Sequence, residues 1–140
     1  MKILFLDIDG VVNNKESFAR NPIDEIDEIL ANKIKAIQLS TGCNVVLSSM
    51  WRLSPVLVSK VEEKICKVFD STIESTDLNK KERGDEIAAW LTAHPEVKKY
   101  AIIDDDIDIL LEQLPNFFNT SFDLGITDDI MFRIIKHLNS

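Results

Sequence analysis

Apolar residues along this chain fall into short clusters separated by polar turns, and their period changes from one cluster to the next. Residues 2–8 form an almost continuous apolar run broken by Asp7, which suits a strand buried on both faces of a parallel sheet. Asn21-Pro22 then predicts a helix start, with Ile23, Ile26, Leu30, Ile34 and Ile37 at helical spacing and an end near Gly42. Asn44 to Ser48 reads as a second strand. Ser54-Pro55 opens another helix, carrying Val58, Val61, Ile65 and Val68 on one face. Residues 70–82 are polar and poorly periodic, leaving room for at most one short edge strand. A helix from Asp85-Glu86 runs through Trp90 and Leu91 and stops at His94-Pro95, with its acids at the favourable N-terminal end. Tyr100 to Ile103 is again a buried strand ending in acids. A short helix to Leu114-Pro115, a fifth strand at Phe117-Phe118 and a final helix from Thr127 to Leu138 complete the chain.

Strands alternating with helices predict an α/β fold, a three-layer Rossmann-like sandwich around a central, mainly parallel five-stranded sheet. The four glycines fall at joints between these segments, as turn and cap residues do. The 140 residues suit one domain over 1–140, and 45% hydrophobic with 29% charged residues is ordinary globular usage. Cys43 and Cys66 stand alone in apolar surroundings, which excludes a disulfide framework and a zinc site in favour of small buried side chains. The N-terminal run is too short and too acidic for a signal peptide or a membrane span, so the expectation is a soluble, cytoplasmic protein. Acids outnumber bases 24 to 16, for a net charge of −8. That balance argues against stable binding to duplex nucleic acid, which requires Lys and Arg to displace counterions. It leaves a nucleotide or a phosphorylated end open as substrate.

The acidity is concentrated: residues 101–140 hold 8 acids against 2 bases, and Asp104, Asp105, Asp106 and Asp108 supply half of those acids. Ligands of such sheets bind beyond the carboxyl ends of the strands. There the sequence puts Asp7-Ile8-Asp9-Gly10, Ser48-Ser49 and Asp104-Asp105-Asp106. Carboxylates held together repel unless a cation joins them, and all-oxygen ligands select a hard ion, with Mg²⁺ the commonest that works with phosphates. Two acids two residues apart suit covalent phosphoryl transfer, in which one carboxylate attacks to form an aspartyl-phosphate and the other handles protons.

These residues also match a family pattern. Phe5-Leu6-Asp7-Ile8-Asp9-Gly10-Val11-Val12 resembles the first motif of the haloacid dehalogenase (HAD) superfamily, whose members are mostly Mg²⁺-dependent phosphatases. Val45-Val46-Leu47-Ser48 is similar to the second motif, and Ile102-Ile103-Asp104-Asp105 to the fourth. Arg83-Gly84-Asp85-Glu86-Ile87 is the best match to the third, with arginine where lysine is usual; Lys80 and Lys81 are near enough to substitute. The finer pattern, Leu-Ser-Ser-x-Trp-Arg at 47–52 and Gly-Ile-Thr at 125–127, resembles a small capless subgroup, some of whose members are HAD domains of RNA-repair proteins.

The resemblance implies Asp7 as nucleophile and Asp9 as acid/base, with Ser48 and Arg83 binding the transferring phosphoryl group. It also implies Mg²⁺ held among Asp7, Asp9, Asp104 and Asp105. Ser48 is favoured over Ser49 as the phosphate ligand. Ser49, Gly10 and Arg52 are further candidates for substrate contact, Arg52 either as a phosphate clamp or in a surface ion pair. Asp106 is expected to cap the next helix and Asp108 to assist the metal. Trp51 reads as core or as a surface for stacking a base, Trp90 as core, and His94 and His137 as helix-end residues. The implied substrate is a phosphorylated small molecule or nucleic-acid end, reached through an open mouth without a cap domain. A receiver-like, phosphate-responsive binding module and an inactive HAD scaffold are the alternatives; the first lacks the Asp that a receiver carries on its third strand.

Overall fold

The computed structural model describes residues 1–22, 26–72 and 82–140. Its strands are β1 (Lys2–Leu6), β2 (Asn44–Leu47), β3 (Asp70–Ser71), β4 (Lys99–Asp104) and β5 (Phe117–Asn119). They form one sheet in the order β3-β2-β1-β4-β5, and every neighbouring pair is parallel. The helices are α1 (Lys15–Arg20), α2 (Glu28–Thr41), α3 (Pro55–Lys64), α4 (Arg83–Ala93) and α5 (Asp128–Leu138).

Strand residues alternate between two cores, as the two-residue period of a strand requires. Ile3 and Phe5 of β1 pack with Val46, Ile102 and the α4 residues Ile87 and Trp90. Leu4 and Leu6 pack with Val45, Leu47 and Ile103, against Ile34 and Ile37 of α2, Val61 of α3 and Ile134 and Leu138 of α5. The sheet therefore lies between α4 on one face and α2, α3 and α5 on the other, the three-layer α/β arrangement that the sequence predicts. Its strand order reverses at β1: the chain steps outward to β2 and β3, then crosses back to β4 on the other side of β1. Right-handed crossovers on the two sides of such a switch require helices on opposite faces. Among the described residues there is no separate cap domain, and no helix is long and apolar enough to cross a membrane.

Several boundaries differ from the sequence expectation. No helix starts at Asn21-Pro22; Asn21 ends α1, and α2 begins after Asp27, whose side chain accepts from the Leu30 N–H. The unforeseen α1 has its own capping box, in which Asn14 and Ser17 exchange side-chain-to-backbone bonds. Ile26 is buried ahead of α2, and Ile23 lies outside the described residues. Helix α3 ends before Val68, whose N–H bonds to Glu62. A 3₁₀ turn over Met50–Leu53 was not expected, and the segment reaching Pro115 is a 3₁₀ turn, Leu111–Asn116. Trp90 is core, as predicted, but its indole N–H also reaches Asp70 at 2.9 Å. Burial pushes the Cys66 thiol up to about 11 and raises Cys43 as well, so both stay protonated like small apolar side chains.

Candidate active site

The site begins with strand register. Leu6 pairs with Leu47 and Ile103, and Leu47 pairs with Ser71. The ladders run one residue further, with Ser48 N–H donating to Leu6 O (3.0 Å), Asp7 N–H to Ile103 O (3.1 Å) and Thr72 N–H to Leu47 O (3.1 Å). Thr72, Ser48, Asp7 and Asp104 thus form one row across the carboxyl ends of β3, β2, β1 and β4. Counting by two from Phe5, Val46 and Ile102 turns this row toward the α4 face. The middle of the row, between β1 and β4, is the topological switch point.

Helix α4 delivers the cation. Its first turn rests on the loop after β4: Gly84 N–H donates to Asp108 O (2.9 Å), and a Cβ on Gly84 would lie 2.6 Å from Leu110 N. Only glycine allows that approach. Arg83 is thereby held against the row, with Nη1 paired to Asp104 Oδ2 and to Asp7 Oδ1 at 3.2 Å. Burial works against the Arg83 charge, but Asp7 and Asp104 more than offset it and hold the guanidinium above its ordinary range. Lys80 and Lys81, the alternatives for this role, lie outside the described residues.

Asp7, Asp104 and Asp105 each offer a carboxylate oxygen, and these atoms lie within 4.8 Å of one another. Asp104 is fully buried and Asp7 only 5% exposed. Burial, then the neighbouring Asp104, push Asp7 up to about 9 from 3.8, against the pull of Arg83. Asp105 is raised by burial and by Asp104. Three converging carboxylates beside one guanidinium form an oxygen-only donor set that fits a hard divalent cation such as Mg²⁺.

The Asp9 carboxylate is not part of that cluster, contrary to its expected place among the metal ligands. It is exposed, and Asn13 Nδ2 donates to its Oδ1 (2.9 Å) while Trp51 Nε1 donates to its Oδ2 (3.3 Å). Asp108 is likewise outside the cluster, at the start of α4, where its Oδ2 accepts from the Arg83 N–H (3.4 Å). Asp106 caps no helix; its side chain accepts from the adjacent Ile107 N–H (2.7 Å).

The two serines have different surroundings. Ser49 Oγ accepts from the Trp51 N–H and caps the 3₁₀ turn, whereas Ser48 Oγ is buried with no hydrogen-bond partner. Thr72 Oγ1, Arg83 Nε and Asp108 Oδ1 are also buried and unpartnered. A buried orphan polar atom costs about 1–3 kcal/mol, so Ser48 is prepared for a ligand in a way that Ser49 is not.

Gly10 and Arg52 do not present themselves to a substrate. Gly10 N–H donates to Asn13 Oδ1 (2.8 Å), and its carbonyl accepts from the Thr120 hydroxyl (2.7 Å). The Arg52 side chain is 3% exposed and pairs with Glu86 at 2.5 Å. It also donates to the carbonyls of Thr72, Ser48 and Ser49. It is neither a surface ion pair nor a free phosphate clamp but a buried brace, tying the ends of β2 and β3 to α4. The sequence reading does not single out Asn13, four residues from Asp9 in the same turn, and gives Trp51 no polar role; the Trp51 contact spans 42 residues, so no local pattern marks it.

A doubly wound parallel sheet with acids from two strands at its switch point and a cation from the facing helix defines a Rossmann-like, HAD-type domain. The chain belongs to that family: the model for the HAD domain in Swiss Army Knife RNA repair proteins matches residues 3–130. Membership points to a hydrolase. Neither a curated protein nor a solved structure gives a significant match.

Proposed function

We propose that this protein is a Mg²⁺-dependent phosphatase that hydrolyses phosphomonoesters through an aspartyl-phosphate on Asp7. The observation that carries the proposal is the convergence of Asp7, Asp104 and Asp105 beside Arg83, one strand from the unpartnered hydroxyl of Ser48. Asp7, Asp104 and Asp105 would hold the ion, which supplies charge neutralisation for the phosphoryl oxygens and keeps Asp7 ionised.

In the first half-reaction an Asp7 oxygen attacks phosphorus. The bond to the leaving oxygen breaks, and that oxygen takes a proton from Asp9. In the second, Asp9 takes a proton from water as the water oxygen attacks phosphorus. The Asp7–phosphorus bond then breaks and inorganic phosphate leaves. Ser48 donates to a phosphoryl oxygen, and Arg83 balances charge while orienting Asp7. Proton transfer of this kind contributes about 10² to 10⁴ in rate.

The family description supports testing nucleotides and phosphorylated nucleic-acid ends as substrates. The net charge of −8 favours small or single-ended phosphates over long duplexes. The test is hydrolysis of an aryl phosphate with Mg²⁺ and with EDTA. Turnover that needs the metal and disappears in Asp7→Asn is expected; metal-independent turnover, or an Asp7→Asn variant as active as the parent, overturns the proposal.

A further inference from the structure

Asp9 is exposed, whereas Asp7, Ser48 and Asp104 are buried. An exposed carboxylate on a turn samples several rotamers, yet proton transfer to a leaving oxygen needs one orientation held within hydrogen-bond reach. Two side chains hold this carboxylate, one on each oxygen. Asn13, fully buried and itself accepting from Gly10 N–H, donates to Oδ1 from within the same turn. Trp51, 4% exposed, donates its indole N–H to Oδ2 from the loop after β2, 42 residues away.

The contact from Asn13 alone leaves the carboxylate plane free to turn about the anchored oxygen. A second donor on the other oxygen fixes the plane, and each oxygen keeps a lone pair for the transferred proton. An indole suits this task because its N–H is donor only and its ring is wedged in the core. Trp51 is itself fixed, since its backbone N–H donates to Ser49 Oγ and the adjacent Arg52 braces the same loop. Ser48 begins that loop. One rigid segment therefore carries both the hydroxyl assigned to the phosphoryl group and the donor that aims Asp9.

Resting on the phosphatase reading above, we propose that Trp51 is a positioning residue, whose indole N–H aims the Asp9 carboxylate at the leaving-group oxygen. The consequence depends on the substrate. p-Nitrophenolate departs readily without a proton, whereas an alkoxide must be protonated as it leaves. Loss of aim at Asp9 therefore slows the first half-reaction selectively for alkyl phosphates, which kcat/KM reads. The second half-reaction, in which Asp9 serves water, is common to both esters, and a loosened fold lowers kcat/KM equally on both.

The experiment compares kcat and KM of the parent and Trp51→Phe on p-nitrophenyl phosphate and on glycerol phosphate, with Mg²⁺. The expected result is a fall in kcat/KM on glycerol phosphate of about tenfold or more, drawn from the range of general-acid effects, with less than about threefold loss of kcat/KM on the aryl ester. Equal losses of kcat/KM on both substrates, or no loss on either, overturn the proposal. A measurement independent of turnover accompanies it. The chain has 2 tryptophans, so the indole N–H resonance lost in Trp51→Phe identifies Trp51, and its exchange with solvent is read in the parent and in Asp9→Ala. Slower exchange in the parent is expected, and equal rates overturn the proposal even in an active enzyme. If the parent hydrolyses neither ester, the phosphatase reading fails and this proposal falls with it, while a protected indole proton still reports the Trp51–Asp9 contact.

Discussion

Gly10 and Asp105 approach so closely that a Cβ on the glycine would lie 2.2 Å from the Asp105 Oδ2 and 2.8 Å from its Cβ. Gly10 also has φ +79°, a conformation that L side chains disfavour by about 1–2 kcal/mol. Gly10→Ala is expected to lower stability by about that amount or more and to push Asp105 out of the carboxylate cluster. A urea melt reads the first effect. A Mg²⁺ titration of activity reads the second, as a higher metal requirement.

Without a divalent ion, Asp7 makes stability depend on pH. Its folded pKa, about 9, exceeds the ordinary 3.8, so between these values the folded state binds a proton that the unfolded state has released. Stability is then greatest below about pH 4 as far as Asp7 is concerned, and is lost as pH rises toward 9. In EDTA, the melting temperature of the parent should therefore fall from pH 5 to pH 8 more steeply than that of Asp7→Asn. Identical slopes would show that burial of Asp7 is not costly.

Ser48→Ala and Ser49→Ala are expected to separate cleanly. The first removes a hydroxyl with no partner, so the melting temperature should hold or rise slightly while turnover falls. The second removes the acceptor for the Trp51 N–H and should cost about 0.5–2 kcal/mol of stability, as loss of a helix-cap side chain does. Paired melts and rate measurements on the two variants check both.

Arg52→Met removes the guanidinium from its buried pair with Glu86 and from three carbonyls. Breaking a buried pair from one side costs about 3–5 kcal/mol. The expected outcome is a strongly lowered urea midpoint with little change in KM for a phosphate ester below that midpoint. A phosphate clamp would give the reverse, a raised KM at nearly unchanged stability.

What the sequence made legible follows from period and punctuation. The strands β1, β2 and β4 are apolar runs that stop at a polar residue, and those stopping residues are Asp7, Ser48 and Asp104. Short-range signals were enough because the sheet is parallel: its carboxyl ends all lie on one side, so strand-end residues meet. Helix α1 is not legible because six residues carry too little periodicity, although Asn14 and Ser17 spell a capping box. The inward turn of Arg52 could not be read locally, since its partner Glu86 is 34 residues away. The hold of Trp51 on Asp9 likewise depends on how the loop after β2 packs. Strand ends reveal which groups gather, but not which of them are already engaged by the protein itself.

The row of Thr72, Ser48, Asp7 and Asp104 is created by strand pairing, and under the proposed phosphatase function that makes catalytic competence a measure of folding accuracy. A slip of β2 by one residue would put Ser49 opposite Asp7 and send Ser48 to the other face of the sheet. A slip of β4 would remove Asp104 from Arg83. Misregistered molecules could keep much of their secondary structure and a compact core, and spectroscopy of the backbone would scarcely distinguish them. The specific activity of a preparation would therefore count the sheets in correct register.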